Sequence, residues 1–196
     1  MSFKELLIEF DNILKELNPV EYKKLLPPLS SDEVEKKLRG LGIHDDDFKA
    51  FYKWKNGEKR SSYCEMMEYG GPLSIEQIYE TISGYHNYDP MLVPLISEGE
   101  EMLLFNKKPG KNYGKIYFYS IPQLYIDFPI SYYDSITSMI ETTIAAYKKG
   151  LYVYDFNRNK LKFDYYKLHD FIKSMNPQSM FWTDHNSLNH EEWYEI

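Results

Sequence analysis

Between residues 3 and 17 the apolar positions Phe3, Leu6, Leu7, Phe10, Ile13, Leu14 and Leu17 recur at steps of three and four, with Lys4, Glu5, Glu9, Asp11 and Lys15 facing elsewhere. That spacing predicts an amphipathic helix with one buried stripe. Pro19 lies just beyond it, and Pro27-Pro28 forces an extended approach to the next element, because a residue preceding proline avoids the α region. Ser30 and Glu33 have capping-box spacing and predict a second helix through Val34, Leu38 and Leu41, ended by Gly40 and Gly42. Asp45-Asp46-Asp47 opens a third helix carrying Phe48, Phe51, Tyr52 and Trp54, with Asn56-Gly57 as its left-handed stop. Three carboxylates at a helix N-terminus are explained by the helix dipole and the free amides, without a metal.

After Gly57 the texture changes. Tyr63–Tyr69 is short and mixed, a strand or irregular segment closed by the Gly70-Gly71-Pro72 turn. Ser74 and Gln77 form a second capping pair, for a helix with Ile75, Ile78, Tyr79 and Ile82. Three strands are expected next. Met102–Asn106 is one, Lys115–Ser120 alternates Ile116 and Phe118 against Tyr117 and Tyr119, and Leu124–Phe128 follows Pro122. Asp134 caps a helix with Ile136, Met139, Ile140, Ile144 and Tyr147, stopped at Gly150. Leu151–Phe156 and Leu161–Asp164 flank an Asn-Arg-Asn-Lys turn as a hairpin, and a last helix runs through Leu168, Phe171, Ile172 and Met175. Helices, then a strand meander, then helix again is the order of an α+β fold, an antiparallel sheet covered by helices.

A length of 196 residues suits one domain. The boundaries read as an N-terminal amphipathic helix over 1–24, an α+β body over 25–175, and a tail over 176–196. The rings of Phe181, Trp182, Trp193 and Tyr194 predict that the tail is partly docked. A formal charge of −7 argues against direct nucleic-acid binding, which needs Lys and Arg on phosphates. Cys64 is the single cysteine, so neither an internal disulfide nor a cysteine zinc site can form. No apolar run approaches the ~20 residues that span a bilayer, and no basic stretch leads into an apolar one as in a secretory signal. The expectation is a cytoplasmic protein that does not engage membranes.

Catalytic motifs are missing where they should show. Gly70-Gly71-Pro72 lacks the spacing and the lysine of a phosphate loop. His185 and His190, at i and i+5 in a polar tail, suit solvent better than a metal. Cys64 has no histidine nearby in sequence, and no Gly-x-Ser-x-Gly elbow exists. No catalytic residue, cofactor or metal set is therefore assigned. A hydrolase or transferase would need His86 or His169 in a pocket beside a carboxylate.

Charge is unevenly spread. Residues 1–100 hold 12 Lys and Arg against 19 Asp and Glu, whereas residues 101–196 hold 11 of each. Ser61–Glu101 contains neither Lys nor Arg, yet has eight acids interleaved with Tyr63, Tyr69, Tyr79, Tyr85 and Tyr88. A negative surface bearing tyrosines suits a basic protein partner, since charge steers encounter and rings supply anchor area. The expected contact residues are Glu65, Glu68, Tyr69, Glu76, Glu80, Tyr85, Asp89, Glu98, Glu100 and Glu101. The alternative is that these acids are ordinary solvated faces. The 19 tyrosines also leave self-association open, so the chain is expected as a monomer or weak homo-oligomer.

Leu26-Pro27-Pro28-Leu29-Ser30, Leu41-Gly42-Ile43, and Phe48 to Gly57 with its Trp54 and Asn56-Gly57 occur in an order that resembles the SUKH superfamily of Smi/Knr-like proteins. The resemblance continues through Pro94–Gly99, Leu103–Asn106, Gly114–Tyr117 and Tyr132–Ile136, and covers roughly residues 25–150. The Glu-Lys-Arg-Ser-Ser-Tyr stretch after Gly57 departs from the family's aromatic-rich strand. The resemblance implies a non-enzymatic protein-binding domain. In bacterial relatives it implies an immunity protein that holds a cognate toxin, often one acting on nucleic acid, in an inactive stoichiometric complex. In fungal relatives it implies a scaffold or regulator of cell-wall assembly.

Overall fold

The computed structural model describes residues 1–84, 89–99, 101–120 and 130–179. Four helices come first: α1 (Phe3–Leu17), α2 (Pro19–Tyr22), α3 (Ser31–Gly40) and α4 (Asp46–Trp54). A five-stranded sheet follows, built from β1 (Gly71–Pro72), β2 (Leu92–Glu98), β3 (Glu101–Asn106), β4 (Ile116–Ser120) and β5 (Ile130–Tyr133). Helix α5 (Ile75–Gly84) lies between β1 and β2 in the chain. Helix α6 (Ile136–Lys148), a hairpin of β6 (Val153–Asp155) and β7 (Lys160–Lys162), and α7 (Tyr165–Met175) complete the order. The large sheet runs β1-β2-β3-β4-β5 with every pair antiparallel, which is the expected α+β meander.

Helices α1, α4 and α6 pack on one another and cover one face of the sheet. The α1 stripe buries Phe3, Leu6, Leu7, Phe10 and Leu14, whereas Leu17 is exposed at its end. Trp54 tilts against Phe10 with ring centroids 5.4 Å apart and donates from Nε1 to Asp11 at 3.0 Å. Phe48 meets the sheet edge-on at Phe105, 4.9 Å between centroids. On the sheet, Leu103, Phe105, Ile116 and Phe118 point into this core. Their neighbours Met102, Leu104 and Tyr117 form a smaller buried cluster with Leu92, as the period-two alternation of a strand requires.

Local capping chemistry sets the helix starts. Ser30 and Glu33 make the expected capping box, and Ser74 with Gln77 makes the second. Asp45 is the N-cap of α4, and Asp47 accepts the Thr137 hydroxyl at 2.6 Å, tying α4 to α6. Two boundaries differ from the sequence reading. Helix α6 is capped by Ser135 rather than Asp134. Helix α4 ends at Trp54 through an extended Lys55, and left-handed Gly57 lies beyond the cap instead of forming it. Gly57 serves another purpose: with φ +70°, a Cβ there would lie 2.3 Å from the backbone of Leu73 and Ser74.

Strands β1, β2 and β5 differ from the sequence reading, which makes Gly71-Pro72 part of a turn and places no strand at Leu92–Glu98 or Ile130–Tyr133. β2 carries the near-continuous apolar run Leu92-Val93-Pro94-Leu95-Ile96, which has no alternation to read, and a bulge between Pro94 and Ile96. The bulge turns the Leu95 carbonyl to the Leu73 amide at 2.9 Å. The expected Leu124–Phe128 strand lies outside the described residues. At the start of the tail, Asn176 donates to the Thr142 hydroxyl at 3.0 Å and Ser179 donates to Asp134 at 3.2 Å. Among the described residues no helix is long and apolar enough to cross a membrane.

Gly57→Ala should lower stability by about 2 kcal/mol or more, the combined cost of left-handed strain and backbone crowding. Urea unfolding measures it, and an unchanged midpoint would contradict the close approach of Gly57 to Leu73.

Candidate functional site

Residues 58–70 carry Glu58, Glu65 and Glu68 but almost no strand ladder. Backbone pairing there consists of the isolated bridges Leu25 to Glu58 and Met67 to Gly70, the Glu58 amide on the Pro72 carbonyl at 2.7 Å and a turn from the Ser62 amide to the Lys59 carbonyl at 3.0 Å. Side chains do the remaining work. Glu21, 1 % exposed, takes the Lys24 ammonium at 2.7 Å, the Glu65 amide at 2.6 Å and the Tyr154 hydroxyl at 3.2 Å. Glu58 accepts the Cys64 amide at 2.6 Å and the Ser62 hydroxyl at 2.9 Å. Asn18 donates to the Glu65 carbonyl at 2.9 Å, and Tyr147 donates to that of Met66 at 2.7 Å. The path they hold is strained: Ser61, Tyr63 and Tyr69 all have positive φ without being glycine.

This fold-back opens a cleft of about 260 Å³ between residues 58–70, helix α5 and the β2–β3 turn at Gly99. Glu58, Glu65 and Glu80 line it, Cys64 lies buried at its floor, and Tyr63 stands at its rim. Tyr63 is 75 % exposed, and its carbonyl is held by Lys24 Nζ at 3.0 Å. Arg60 reaches across to Glu80 at 3.2 Å, a pair in which both side chains remain largely exposed. Burial pushes the Glu58 carboxyl above the ordinary carboxylate range, against the lowering effect of the Cys64 amide. Burial likewise raises the Cys64 thiol, helped by the nearby Glu21 and Glu58 carboxyls, which makes it a poor nucleophile.

Not all the expected contact residues face outward. Glu68 is 3 % exposed: it takes the Tyr132 hydroxyl at 2.7 Å and meets His169 Nε2 at 2.5 Å. Tyr69 is 7 % exposed, tilted onto Phe118 at 4.6 Å and edge-on to Tyr132 at 5.6 Å. Both belong to the interior and are corrected from surface to core, because the turn at Gly70 folds them under the sheet's helical cover. Glu65 is half-buried, its carboxylate accepting the Leu161 amide at 2.8 Å. Glu76 and Glu80 are exposed on α5, Glu76 paired with Lys37. Asp89 and Glu101 are half-buried, Asp89 accepting the Met91 amide at 2.8 Å. Tyr85, Glu100 and the Glu98 side chain lie outside the described residues.

The cleft therefore gathers Glu65 and Glu80 beside Glu58, Arg60 and Tyr63, while Glu76 lies farther along α5. Sequence reading passed over Glu21, Glu58 and Arg60, which precede the cation-free stretch. The positive φ of Tyr63, which turns its ring out, leaves no compositional trace.

The catalytic alternative finds half its requirement met. His169 does meet a carboxylate, Glu68, but is itself mostly buried, and the Tyr165 ring covers it at 3.8 Å between centroids. The clefts on either side of the hairpin are lined by neither Glu68 nor His169. His86, His185 and His190 lie outside the described residues. Among the described residues no group of three or more His, Cys, Asp or Glu side chains could hold a metal ion.

Residues 28–142 match the model of the SMI1 / KNR4 family (SUKH-1), so the chain belongs to that family. The match spans α3 to the middle of α6, including the acidic cleft. No curated protein matches the chain.

Two measurements check this geometry. Glu68→Ala should cost about 2 kcal/mol, because it removes a buried acceptor that the Tyr132 hydroxyl and the His169 ring share. Glu80→Ala should stay within about 0.5 kcal/mol. Equal effects in urea unfolding would contradict the inward and outward assignments. Glu58, its folded pKa raised, contributes stability that is complete below the ordinary carboxylate pKa and lost as pH rises through the folded value. Glu58→Gln should therefore gain on the parent as pH rises above the ordinary carboxylate range; a gap that is flat or shrinks with pH contradicts the shift.

Proposed function

We propose that this SMI1 / KNR4 family member is a non-catalytic immunity protein that neutralises a cognate, basic toxin acting on nucleic acid, by forming a stoichiometric complex. Family membership supports an immunity or SMI1/KNR4-like protein-interaction role. The finer reading rests on the surface around the 58–70 cleft. The observation that carries it is Tyr63, a large ring held outward in a left-handed conformation at the rim of a cleft lined by Glu58, Glu65 and Glu80. Strained backbone that presents an exposed aromatic among carboxylates is the arrangement a docking anchor needs.

The proposed contact surface joins Tyr63, Glu65 and Glu80 to Glu76 on the exposed face of α5, beside the β2–β3 turn at Gly99. A nucleic-acid-directed toxin presents a basic cleft, and an acidic surface occupies or flanks it. The outward charges speed encounter, and the Tyr63 ring, once desolvated, slows release.

The test uses the polypeptide that the tagged protein captures at near equal ratio from its native cells. Charge reversal at Glu76 and Glu80 together should slow association about tenfold or more at low salt, with the difference vanishing at high salt. Tyr63→Ala should act mainly on dissociation. Association of the reversed variant at the parental rate in low salt would remove this surface from the interface. A captured partner that is acidic would overturn the reading.

A further inference from the structure

The hairpin and the start of α7 present a face unlike the rest of the molecule. Val153, Phe163, Tyr165 and Tyr166 are exposed along an open groove of about 770 Å³, with Arg158 and Lys160 beside them. Tyr166 is 82 % exposed. Lys162 is paired with Asp155 and Lys167 with Asp164, whereas Arg158 and Lys160 have no ion pair among the described residues. An apolar groove with two uncompensated cations, on a chain of charge −7, calls for an acidic, ring-bearing occupant.

The chain contains such a segment. Residues 180–196, outside the described residues, hold Asp184, Glu191, Glu192 and Glu195 and no Lys or Arg, together with Phe181, Trp182, Trp193 and Tyr194. Their attachment point is fixed at Ser179, at the far end of α7 from the groove. The 11 residues of α7 span about 16 Å, and an extended chain covers that in about five residues. Residues 185–196 are then within chain reach of the groove, and they include three of the four acids and both Trp193 and Tyr194. Tethering supplies an effective concentration in the millimolar range, so a weak contact suffices. We propose that the C-terminal segment 180–196 seats on the aromatic, basic face of the β6–β7 hairpin and α7, with its acids toward Arg158 and Lys160.

The test is hydrogen exchange on the full chain, comparing the parent with an Arg158→Glu, Lys160→Glu double variant and with Tyr166→Ala. All three positions are exposed, so the fold is retained. At low salt, amides of 151–167 and of 180–196 should exchange about tenfold more slowly in the parent than in the double variant. Tyr166→Ala should lose part of that protection, and the gap should close as salt rises. Tail amides that exchange at free-peptide rates in the parent overturn the proposal. So does tail protection that survives charge reversal, which places the segment elsewhere. Protection that grows with protein concentration seats a second copy there and also overturns it.

Discussion

Two inward carboxylates, Glu21 and Glu58, hold the stretch of chain on which the outward surface depends. Residues 58–70 lack the ladder that would normally satisfy their backbone, and the two glutamates take the Glu65 and Cys64 amides in its place. Charge-assisted bonds of this kind are stronger than neutral ones and tolerate a path that a strand does not. Glu21 is compensated by the Lys24 ammonium; Glu58 has hydrogen bonds but no ion pair among the described residues, and burial raises its pKa. Because these bonds set the path, Tyr63 is turned out and Tyr69 is turned in.

The acids of this protein thus divide into two sets with opposite duties. Glu21, Glu58 and Glu68 are interior acceptors that replace missing backbone partners or join α7 to the sheet through Tyr132 and His169. Glu76 and Glu80 are exposed and ion-paired with the side chains of Lys37 and Arg60. Interior acids cost desolvation and act by specifying one backbone path; exterior acids contribute little to stability and act through long-range attraction. The family match fits this division, since a protein-interaction domain needs a rigid carrier and a free surface.

Much of the carrier was legible in the sequence. Helix starts follow from chemistry within four residues, as at Ser30 with Glu33 and Ser74 with Gln77, and the amphipathic stripe of α1 declares itself by spacing. β2 was hidden because a strand buried on both faces has no alternation, and its proline reads as a break. The candidate site was legible in sign but not in direction. Glu68 and Glu80 look alike in sequence, yet Glu68 is interior because Tyr132 and His169, 64 and 101 residues away, come to meet it. No local pattern encodes such partners. The same holds for Glu58, whose role depends on where Cys64 turns back.

The most direct measurement is a hydrogen-exchange footprint of the intact chain, alone and with its captured partner at saturation. Added protection should fall on residues 58–65, on the exposed turns of α5 and on the β2–β3 turn, with the interior amides at Cys64 and Glu65 already slow before the partner arrives. Protection that bypasses these segments, or amides at Cys64 and Glu65 that exchange freely in the unbound chain, would contradict the account.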